Sequence, residues 1–560
     1  MKGIVLFSFA AVGLLAVGRP VSELEFTKPD RRWLWGGFGF HNSEATMTPL
    51  MSDEFRDQRV LKTYREISPS YARVFAGFAD WTREAMGRFA DYYDAAFRFS
   101  GTTLYLAPGR MPAILKDFDA AKYAEAVAER LAYLVGERKL TKIRYYTPSN
   151  ELSVGTEYVW FESHWDVYRR ICEELVLAFR RHGLDIGLMT TDSANPERIP
   201  HIEWATRNIN DLTDTYCWHV YESVLKPGDL SLYGKYHAYF TNVVAIAGRR
   251  EKRISIGEYG FQGLNPDFID RSKAVMRDDG NYSYRNPREA PLAAMARAEM
   301  GLAAMNAGCL HAVTWTMFDY PDPFLREDGD TQAEKARYDV ARFSGFGLDV
   351  RYNKNGLVKW CDDEHDYSSR PDLYTMGYLA KLFRKGARVL AWQSSDPTLR
   401  AGGVTNPDGS CSLAILNWGE AKTVSVRLDH PISRPFRMYA YDSAAVPTNA
   451  FNDLQRCAGT LERGADGRFA VALPAKAMVF LASDYIARTP SAVETVGVRN
   501  GTLSWKPCAD PEHAYYRVYA NGRQIASTVA TSLRVTDAAL RHTVTSDDRW
   551  GNEGADGCRN

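Results

Sequence analysis

The sequence predicts an α/β protein, with a (β/α)8 TIM barrel followed by an antiparallel β-sandwich and a second, smaller β-sandwich. From about residue 25 to residue 390, short β-branched or aromatic runs alternate with longer amphipathic runs. This alternation is typical of repeated βα units around a parallel sheet. Eight β-like runs occur in that part of the chain, and eight parallel strands close a barrel. After residue 390 the helical periodicity stops, and short alternating runs indicate antiparallel β-structure.

Eight segments are predicted as barrel strands because β-branched and aromatic residues dominate them. They are residues 33–40, 71–78, 102–108, 142–151, 185–192, 215–222, 253–260 and 312–320. The runs between them carry apolar residues at spacings of three and four, as amphipathic helices do. Clear examples begin at Ala120, Trp165 and Pro291, and a last one near Tyr374 is predicted as the eighth helix.

Two β units are predicted after the barrel, and the barrel itself is assigned to residues 23–390. Residues 391–486 contain short alternating runs separated by Gly, Pro, Asn and Asp, a pattern typical of an antiparallel sandwich. Residues 487–560 form the third unit, which resembles a fibronectin type III module. The resemblance is carried by Trp505, Tyr516, Val518 and the closing sequence DRWGNEG.

The first 22 residues are predicted to be a signal peptide. One early cation, Lys2, precedes an apolar run from Gly3 to Val17, and the small residues Ala16 and Gly18 fit a cleavage site. No cysteine follows the run, so a lipid anchor is not predicted there. No later segment is long and apolar enough to cross a membrane. We therefore expect a secreted, periplasmic or cell-surface protein.

Composition limits the classes of partner. The 560 residues contain 69 Lys plus Arg and 69 Asp plus Glu, so no long-range field favours nucleic acid or an acidic membrane surface. The eight cysteines show no C-x-x-C spacing, which argues against metal clusters and redox motifs. Two pairs, Cys411 with Cys457 and Cys508 with Cys558, are candidates for disulfides in an oxidising compartment. Neither a cofactor nor a metal is predicted.

Two glutamates lie where predicted strands end. Glu151 closes the fourth predicted strand in the sequence TPSNE, and Glu258 lies near the end of the seventh in ISIGEYG. Barrel enzymes carry their reactive groups at the carboxyl ends of the strands, so both side chains are expected at one mouth. Cleavage of a glycosidic bond needs one protonated and one ionised carboxyl. The pair predicts this chemistry, whereas either glutamate alone would indicate only a solvated loop charge.

Three further side chains on predicted strands can direct hydrogen bonds to Glu258. Arg73 lies on the second strand, and His219 and Tyr221 lie on the sixth. Such donors favour the ionised form of a carboxyl. Glu151 then faces a neighbouring anion, which favours its protonated form, as a general acid requires. Structural alternatives stay open, such as a loop ion pair for Arg73 or a backbone bond for His219.

These residues together resemble the clan A glycoside hydrolases, the retaining "4/7" barrel superfamily. The resemblance covers most of residues 30–390 and follows an Asn-Glu pair ending strand four and a Glu ending strand seven. It also includes an Arg on strand two, a His-x-Tyr on strand six and a Trp on strand eight. The sequence YLAKLFRKGARVLAW, which leads into the β-sandwich, is most similar to family 39 and related β-glycosidases.

The resemblance implies a role for each matched residue. Glu151 is expected to be the acid/base and Glu258 the nucleophile of a double displacement, with retention at the anomeric carbon. Asn150 would bond the substrate 2-hydroxyl. Arg73 and Tyr221 would orient Glu258. His219 would line the site, and Trp315 would form the base of the sugar subsite. His41 and Asn42, at the exit of strand one, are further candidates.

Alternative functions use the same scaffold. A non-hydrolytic carbohydrate-binding or adhesion protein would need neither carboxylate, and both are present. A transglycosylase would share every one of these residues and would differ only in whether water or a sugar reaches the intermediate. In each case the expected partner is an oligosaccharide or polysaccharide. Large aromatics such as Trp315 also fill barrel interiors, so a packing role for that side chain remains an alternative.

Overall fold

The structure is a computed structural model that confirms the predicted fold class. It describes residues 22–28, 34–46, 48–76, 81–108, 118–152, 164–222, 226–261, 274–276, 282–284, 290–322, 340–343, 348–353, 355–360, 365–494 and 496–558. The predicted signal peptide lies outside these residues except for Ser22. No helix within the described ranges is long and apolar enough to span a membrane.

Eight parallel strands close a barrel in chain order, and each corresponds to one predicted segment. They are Phe38–His41, Tyr71–Phe75, Thr103–Ala107, Ile143–Tyr146, Gly187–Ala194, Thr215–Glu222, Arg253–Phe261 and Ala312–Thr314. The barrel closes where the eighth strand pairs with the first, with Ala312 opposite Phe38. The fourth strand stops at Tyr146 rather than at residue 151, since Pro148 has no N–H to donate to a ladder. Glu151 therefore lies in the loop after that strand.

A helix follows every barrel strand. Within the described ranges the α-helices are Asp53–Phe55, Leu61–Ile67, Arg83–Tyr93, Ala120–Ala132, Trp165–Arg181, Ile199–Asn208, Ser231–Gly248, Pro291–Ala307 and Leu373–Leu382. Three of these elements include a π-helical turn, at Arg56–Val60, Asp94–Arg98 and Tyr133–Glu137. Short 3-10 turns occupy Ser43–Thr46, Thr48–Leu50 and Pro196–Arg198. The helix Pro291–Ala307 is capped by Gly308, whose φ of 97° suits glycine.

The interior of the barrel is a packed core. Its inner cluster consists of Tyr71, Tyr105, Met189, Cys217 and Val313. A much larger cluster fills the layer between the strands and the surrounding helices. Because side chains occupy the inside of a small barrel, a ligand has to bind at the mouth formed by the strand ends and their loops.

Short strands also occur beyond the seventh and eighth barrel strands. Ala274–Met276 pairs with Tyr282–Tyr284. A three-stranded antiparallel sheet contains Tyr320–Asp322, Val340–Phe343 and Leu348–Asn353. These strands lie in the long insertions that follow the two barrel strands.

A mostly antiparallel nine-stranded sheet follows the barrel. Its strands are Ser22–Thr27, Arg388–Ser394, Leu399–Thr405, Cys411–Asn417, Lys422–Leu428, Phe436–Asp442, Gly459–Leu461, Arg468–Leu473 and Ala477–Ala482. The assignment of residues from 23 onward to the barrel is wrong for the first strand, which pairs with two strands of this sheet. The physical reason is its alternation, which buries Leu24 and Phe26 in the core of this sheet.

The last unit contains two small sheets. One has Gly497–Arg499, Thr502–Ser504 and Ser532–Arg534, and the other has His513–Ala520, Arg523–Thr528, His542–Asp548 and Gly557–Cys558. Trp505, Tyr516 and Val518 belong to the core of the unit, together with Val544. The Trp505 and Tyr516 rings meet edge to face, with centroids 5.4 Å apart.

The two suggested disulfides do not form. Cys411, Cys457 and Cys508 are free thiols. Cys411 lies in the core of the nine-stranded sheet, whereas Cys457 packs against the barrel core, so the two thiols belong to different clusters. Cys508 accepts a hydrogen bond from Ser546 Oγ at 3.5 Å. Cys361 lies outside the described residues.

A buried ion cluster joins the three parts of the chain. Asp453, in the loop of the sheet domain, lies 2.6 Å from Lys62 Nζ on the helix after the first barrel strand. Its other oxygen lies 3.2 Å from Arg517 Nε in the last unit. Arg517 also pairs with Asp547, and Lys62 pairs with Glu66. Each of these charged groups is buried, so each depends on its partners for compensation.

We expect Arg517→Met to destabilise the protein by about 3–5 kcal/mol, because Asp453 and Asp547 would lose a buried partner. Urea denaturation measures the change. The control is Lys506→Met in the same unit, which removes an exposed ion pair with Glu494 and should cost less than about 1 kcal/mol. Equal effects of the two substitutions would contradict the proposed importance of the cluster.

Candidate active site

The structure brings Glu151 and Glu258 together at the barrel mouth. Three atoms lie within 4.8 Å of one another: one carboxylate oxygen of each glutamate and a ring nitrogen of His219. Glu258 comes from the seventh strand, and its side chain is only 5% exposed. Glu151 follows the fourth strand, and its side chain is 24% exposed. The more accessible carboxyl therefore belongs to the residue that the sequence predicts as the acid/base.

A β-bulge at Gly257 presents Glu258 to the site. Trp218 pairs with Ile256 and His219 pairs with Glu258, so Gly257 is the extra residue of the bulge. A Cβ atom at Gly257 would lie 2.4 Å from Cys217 Sγ and 2.9 Å from His219 Nε2. Only glycine allows this close approach. A glycine inside a predicted strand is a sequence signal for such a bulge.

Each oxygen of Glu258 receives a hydrogen bond. Arg73 Nη1, from the second strand, donates to Oε1. The Tyr221 hydroxyl, from the sixth strand, donates to Oε2 at 2.5 Å. These contacts place the two predicted orienting residues on the predicted nucleophile. They fix the carboxylate plane, because two donors from different strands hold its two ends.

The net direction of the Glu258 pKa differs from the expectation. Burial raises the pKa of Glu258 above its ordinary value, and the charge of Glu151 acts in the same direction. His219, Arg73 and the Tyr221 hydroxyl act to lower it, as the sequence predicted, but they do not offset the burial. The expectation that the donors decide the direction is wrong, because burial of the whole side chain could not be judged from the sequence.

Arg73 also organises two other side chains of the site. Its Nη2 donates to Asn150 Oδ1 and to Asp192 Oδ2, both at 2.6 Å. The guanidinium is fully buried. Asp192 is not among the predicted site residues, although it is the last residue of the predicted fifth strand. A carboxylate at a strand exit was the signal that could have found it.

A second bulge turns Asp192 inward. Met189 points into the barrel core, so strict alternation along the strand would direct Asp192 outward. The pairing with the sixth strand shifts between Thr191 and Ser193. Thr191 and Asp192 take positive φ values of 78° and 47°. Beyond the bulge, Ser193 Oγ lies 2.9 Å from His201 Nδ1 on the next helix.

His219 lies between three carboxylates. Its Nε2 is 2.8 Å from Asp192 Oδ1, and its Nδ1 is 3.1 Å from Glu151 Oε1 and 3.7 Å from Glu258 Oε2. Burial lowers the pKa of His219, but the charges of Asp192 and Glu258 raise it well above its ordinary value. Burial likewise raises the pKa of Asp192, but Arg73 and His219 lower it to about 2. These directions favour an imidazolium beside a carboxylate.

The strand-one candidates His41 and Asn42 are buried, and the His41 ring contacts Trp315. The Trp315 ring is partly exposed and stacks on His41, with centroids 4.1 Å apart. His41 is fully buried, and its Nε2 is 2.8 Å from Ser43 Oγ. Burial lowers the pKa of His41 well below its ordinary value. Asn42 is also buried and donates to Glu44 at 2.9 Å, so its described contacts do not connect it to Glu151 or Glu258.

Two groups of three side chains have the composition of a metal site. They are Asp192, Cys217 and His219, and Glu151, His219 and Glu258. The carboxylates and the imidazole of both groups already pair with each other, and two of the carboxylates also pair with Arg73. We interpret both groups as parts of one ion-pair network and assign no metal to them.

No protein-family model matches the sequence, and neither does any curated protein sequence. Several solved structures are similar in fold. The bacterial orthologue of human α-L-iduronidase is 15% identical with a TM-score of 0.57, and the alignment covers 96% of this chain and 99% of that one. At this identity the similarity establishes a shared fold.

Two further solved structures align over a smaller share of the chain. A GH51 arabinofuranosidase from Xanthomonas axonopodis pv. citri is 15% identical with a TM-score of 0.53. The catalytic domain of GH30 xylanase C from Talaromyces cellulolyticus is 14% identical with a TM-score of 0.52. Each alignment covers 82% of this chain and 99% of the other. All three structures support the same class of fold, a closed barrel with an attached β-sheet domain.

We expect Tyr221→Phe to raise the pKa of Glu258 further, because the hydroxyl that lowers it is lost. Infrared spectroscopy of protein with isotope-labelled glutamate follows the titration, and Glu258→Gln assigns the signal. Tyr236→Phe is the matched control, since that hydroxyl donates to Glu222 instead. An unchanged Glu258 titration in Tyr221→Phe would refute the assigned contact.

Proposed function

We propose that the protein is an exported retaining glycoside hydrolase that cleaves β-glycosidic bonds by double displacement. The observation that carries this proposal is the close pair of carboxylates, with oxygens of Glu151 and Glu258 within 4.8 Å. Retaining glycosidases hold their two carboxyl groups about 5–5.5 Å apart, whereas inverting enzymes leave room for a water molecule between them. The shared fold with a xylanase and an arabinofuranosidase supports the same reaction class.

The contacts of the two glutamates assign their roles. Glu258 is held at both oxygens by Arg73 and Tyr221, as a nucleophile that must attack along a fixed line requires. Glu151 is more exposed and lies in a loop, where it can reach the oxygen of a departing group. In the first step Glu258 attacks the anomeric carbon while Glu151 protonates the leaving oxygen. In the second step Glu151 removes a proton from water, which releases the sugar from Glu258.

Asn150 and Trp315 are proposed to hold the sugar. Arg73 binds the carbonyl oxygen of the Asn150 amide, so the amide presents its NH2 group as a donor. A hydrogen bond from that group to the substrate 2-hydroxyl would strengthen in the transition state. Trp315 is partly exposed and backed by the His41 ring, an arrangement that suits stacking against a sugar face.

The finer family assignment and the last module also belong to this proposal. The alignment with the iduronidase orthologue spans 96% of the chain, so it includes both β units. The proposed likeness to family 39 β-glycosidases rests on the sequence YLAKLFRKGARVLAW, which leads into the first of these units. Sheets of three and four strands around a core with Trp505 and Tyr516 support a fibronectin type III-like module at the carboxyl end. A panel of aryl β-glycosides and plant and animal polysaccharides tests the proposed activity and identifies the sugar.

Glu258→Ala should abolish turnover of an activated aryl glycoside, because the nucleophile is removed. Added azide should restore product with inverted anomeric configuration, since azide attacks directly in the space left by the carboxylate. Glu222→Ala is the control, because this nearby carboxylate pairs with Lys235 and lies outside the proposed machinery. Azide rescue with retained configuration would exclude Glu258 as the nucleophile.

Glu151→Ala should slow substrates according to their leaving groups. Good leaving groups depart without protonation, so we expect small losses in the glycosylation step for nitrophenolates and large losses for alkyl glycosides. Measuring kcat/KM over a series of aryl and alkyl glycosides gives the dependence. Equal losses across the series would count against Glu151 as the acid.

A further inference from the structure

Four fully or nearly fully buried side chains form a network of alternating charge, and one of them belongs to the proposed catalytic pair. Arg73 and His219 supply the cations, and Asp192 and Glu258 supply anions. Asp192 is the one member of this group that makes no described contact with either Glu151 or Glu258. Asp192 therefore acts on the two glutamates through the cations that it contacts.

Asp192 divides its two oxygens between the two cations. Oδ2 accepts a hydrogen bond from Arg73 Nη2 at 2.6 Å, and Oδ1 lies 2.8 Å from His219 Nε2. Two cations close together in a buried site repel each other, and an anion between them offsets this repulsion. Asp192 is fully buried, so its own charge depends on these two cations and on a hydrogen bond from Cys217. The geometry makes the three charges mutually dependent.

The net charge of the site stays the same through both proposed steps. Arg73 and His219 together carry two positive charges, and Asp192 offsets one of them. Before attack the remaining positive charge is balanced by ionised Glu258 beside protonated Glu151. When Glu258 forms the ester bond it loses its charge, and Glu151 gives its proton to the leaving oxygen and becomes the anion. The pair therefore holds one negative charge in each state.

His219 is placed to follow this transfer of charge. Its Nδ1 lies 3.1 Å from Glu151 and 3.7 Å from Glu258, so an imidazolium can stabilise the negative charge on either carboxyl. If Asp192 were neutral, the site would balance only with a neutral imidazole. The titratable and charged groups around the imidazole are Asp192, Glu151, Glu258, Cys217, Arg73 and His41.

We propose that Asp192 is a positioning residue that keeps His219 as an imidazolium between the two glutamates and holds Arg73 against Glu258. The mechanistic part of this assignment rests on the proposed glycosidase function. The protonation state of His219 does not, because it follows from the ion pairs alone. Asp192 thereby acts on the reaction through His219 and Arg73 without touching the substrate.

Asp192→Asn tests the assignment because it keeps the shape of the side chain and removes its charge. Nitrogen NMR of histidine-labelled protein should show an imidazolium at His219 near neutral pH in the wild type and a neutral ring in the variant. The His219→Gln variant assigns the signal. We expect kcat to fall by about tenfold or more, with a much smaller change in KM and a displaced pH profile.

Asp185→Asn is the matched control, since this exposed carboxylate pairs with Arg144 near the start of the fifth strand. It should leave the His219 signal and kcat unchanged. In the His219→Gln background, Asp192→Asn should cause a much smaller loss of kcat than in the wild type, because Asp192 acts partly through the missing ring. Fully additive losses of kcat would show that Asp192 does not act through His219.

A neutral His219 in the wild type, or an imidazolium that persists in Asp192→Asn, would overturn the proposal. The wild-type measurement decides this even if the variant does not fold. It also separates the two proposals: a protein that cleaves no glycoside yet carries the imidazolium refutes the function and leaves the ion network intact. An active glycosidase with a neutral His219 would refute the role of Asp192 and leave the proposed function intact.

Discussion

The buried guanidinium of Arg73 is the interaction on which the rest of the site depends. A charge taken out of water is costly unless it is paired and hydrogen-bonded. Arg73 meets this requirement through Glu258, Asp192 and the amide of Asn150. These partners come from the seventh strand, the fifth strand and the loop after the fourth. One cation on the second strand therefore fixes the relative positions of side chains that lie far apart in the sequence.

Further hydrogen bonds and ion pairs of the barrel support this arrangement. The Tyr105 hydroxyl donates to the carbonyl oxygen of Gly257 at 3.1 Å, which holds the bulge that precedes Glu258. Arg370 binds both oxygens of Asp319, at 2.9 and 3.0 Å, and so secures the chain just after Trp315. Further out, Asp453 joins the barrel helix with Lys62 to the last β unit. Rigid support of this kind is what a site that must hold two carboxyls at a fixed separation needs.

Electrostatics at the mouth are local to the site, since the chain as a whole has no net charge. Burial and neighbouring ions of opposite charge act against each other on the pKa values of Glu258, Asp192 and His219. Burial wins at Glu258, whereas the ion pairs win at Asp192 and His219. A carboxyl whose ionised form is not strongly stabilised is suited to attack, because less stabilisation is lost when it forms a bond.

The eight barrel strands, the β-structure after residue 390 and the pairing of a glutamate after one strand with a glutamate on another could be predicted from the residues alone. These features are encoded locally, since hydrophobic periodicity and strand-exit residues can be recognised without knowing what they contact. Three features could not be predicted in this way: the inward turn of Asp192, the pairing of Ser22–Thr27 with the later sheet, and the direction of the Glu258 pKa shift. Each of these features depends on contacts between distant segments. The bulge at Asp192 reverses the in-and-out alternation expected of a strand, and Ser22–Thr27 takes its pairing partners from far along the chain. The burial that raises the Glu258 pKa comes from every element that surrounds the side chain.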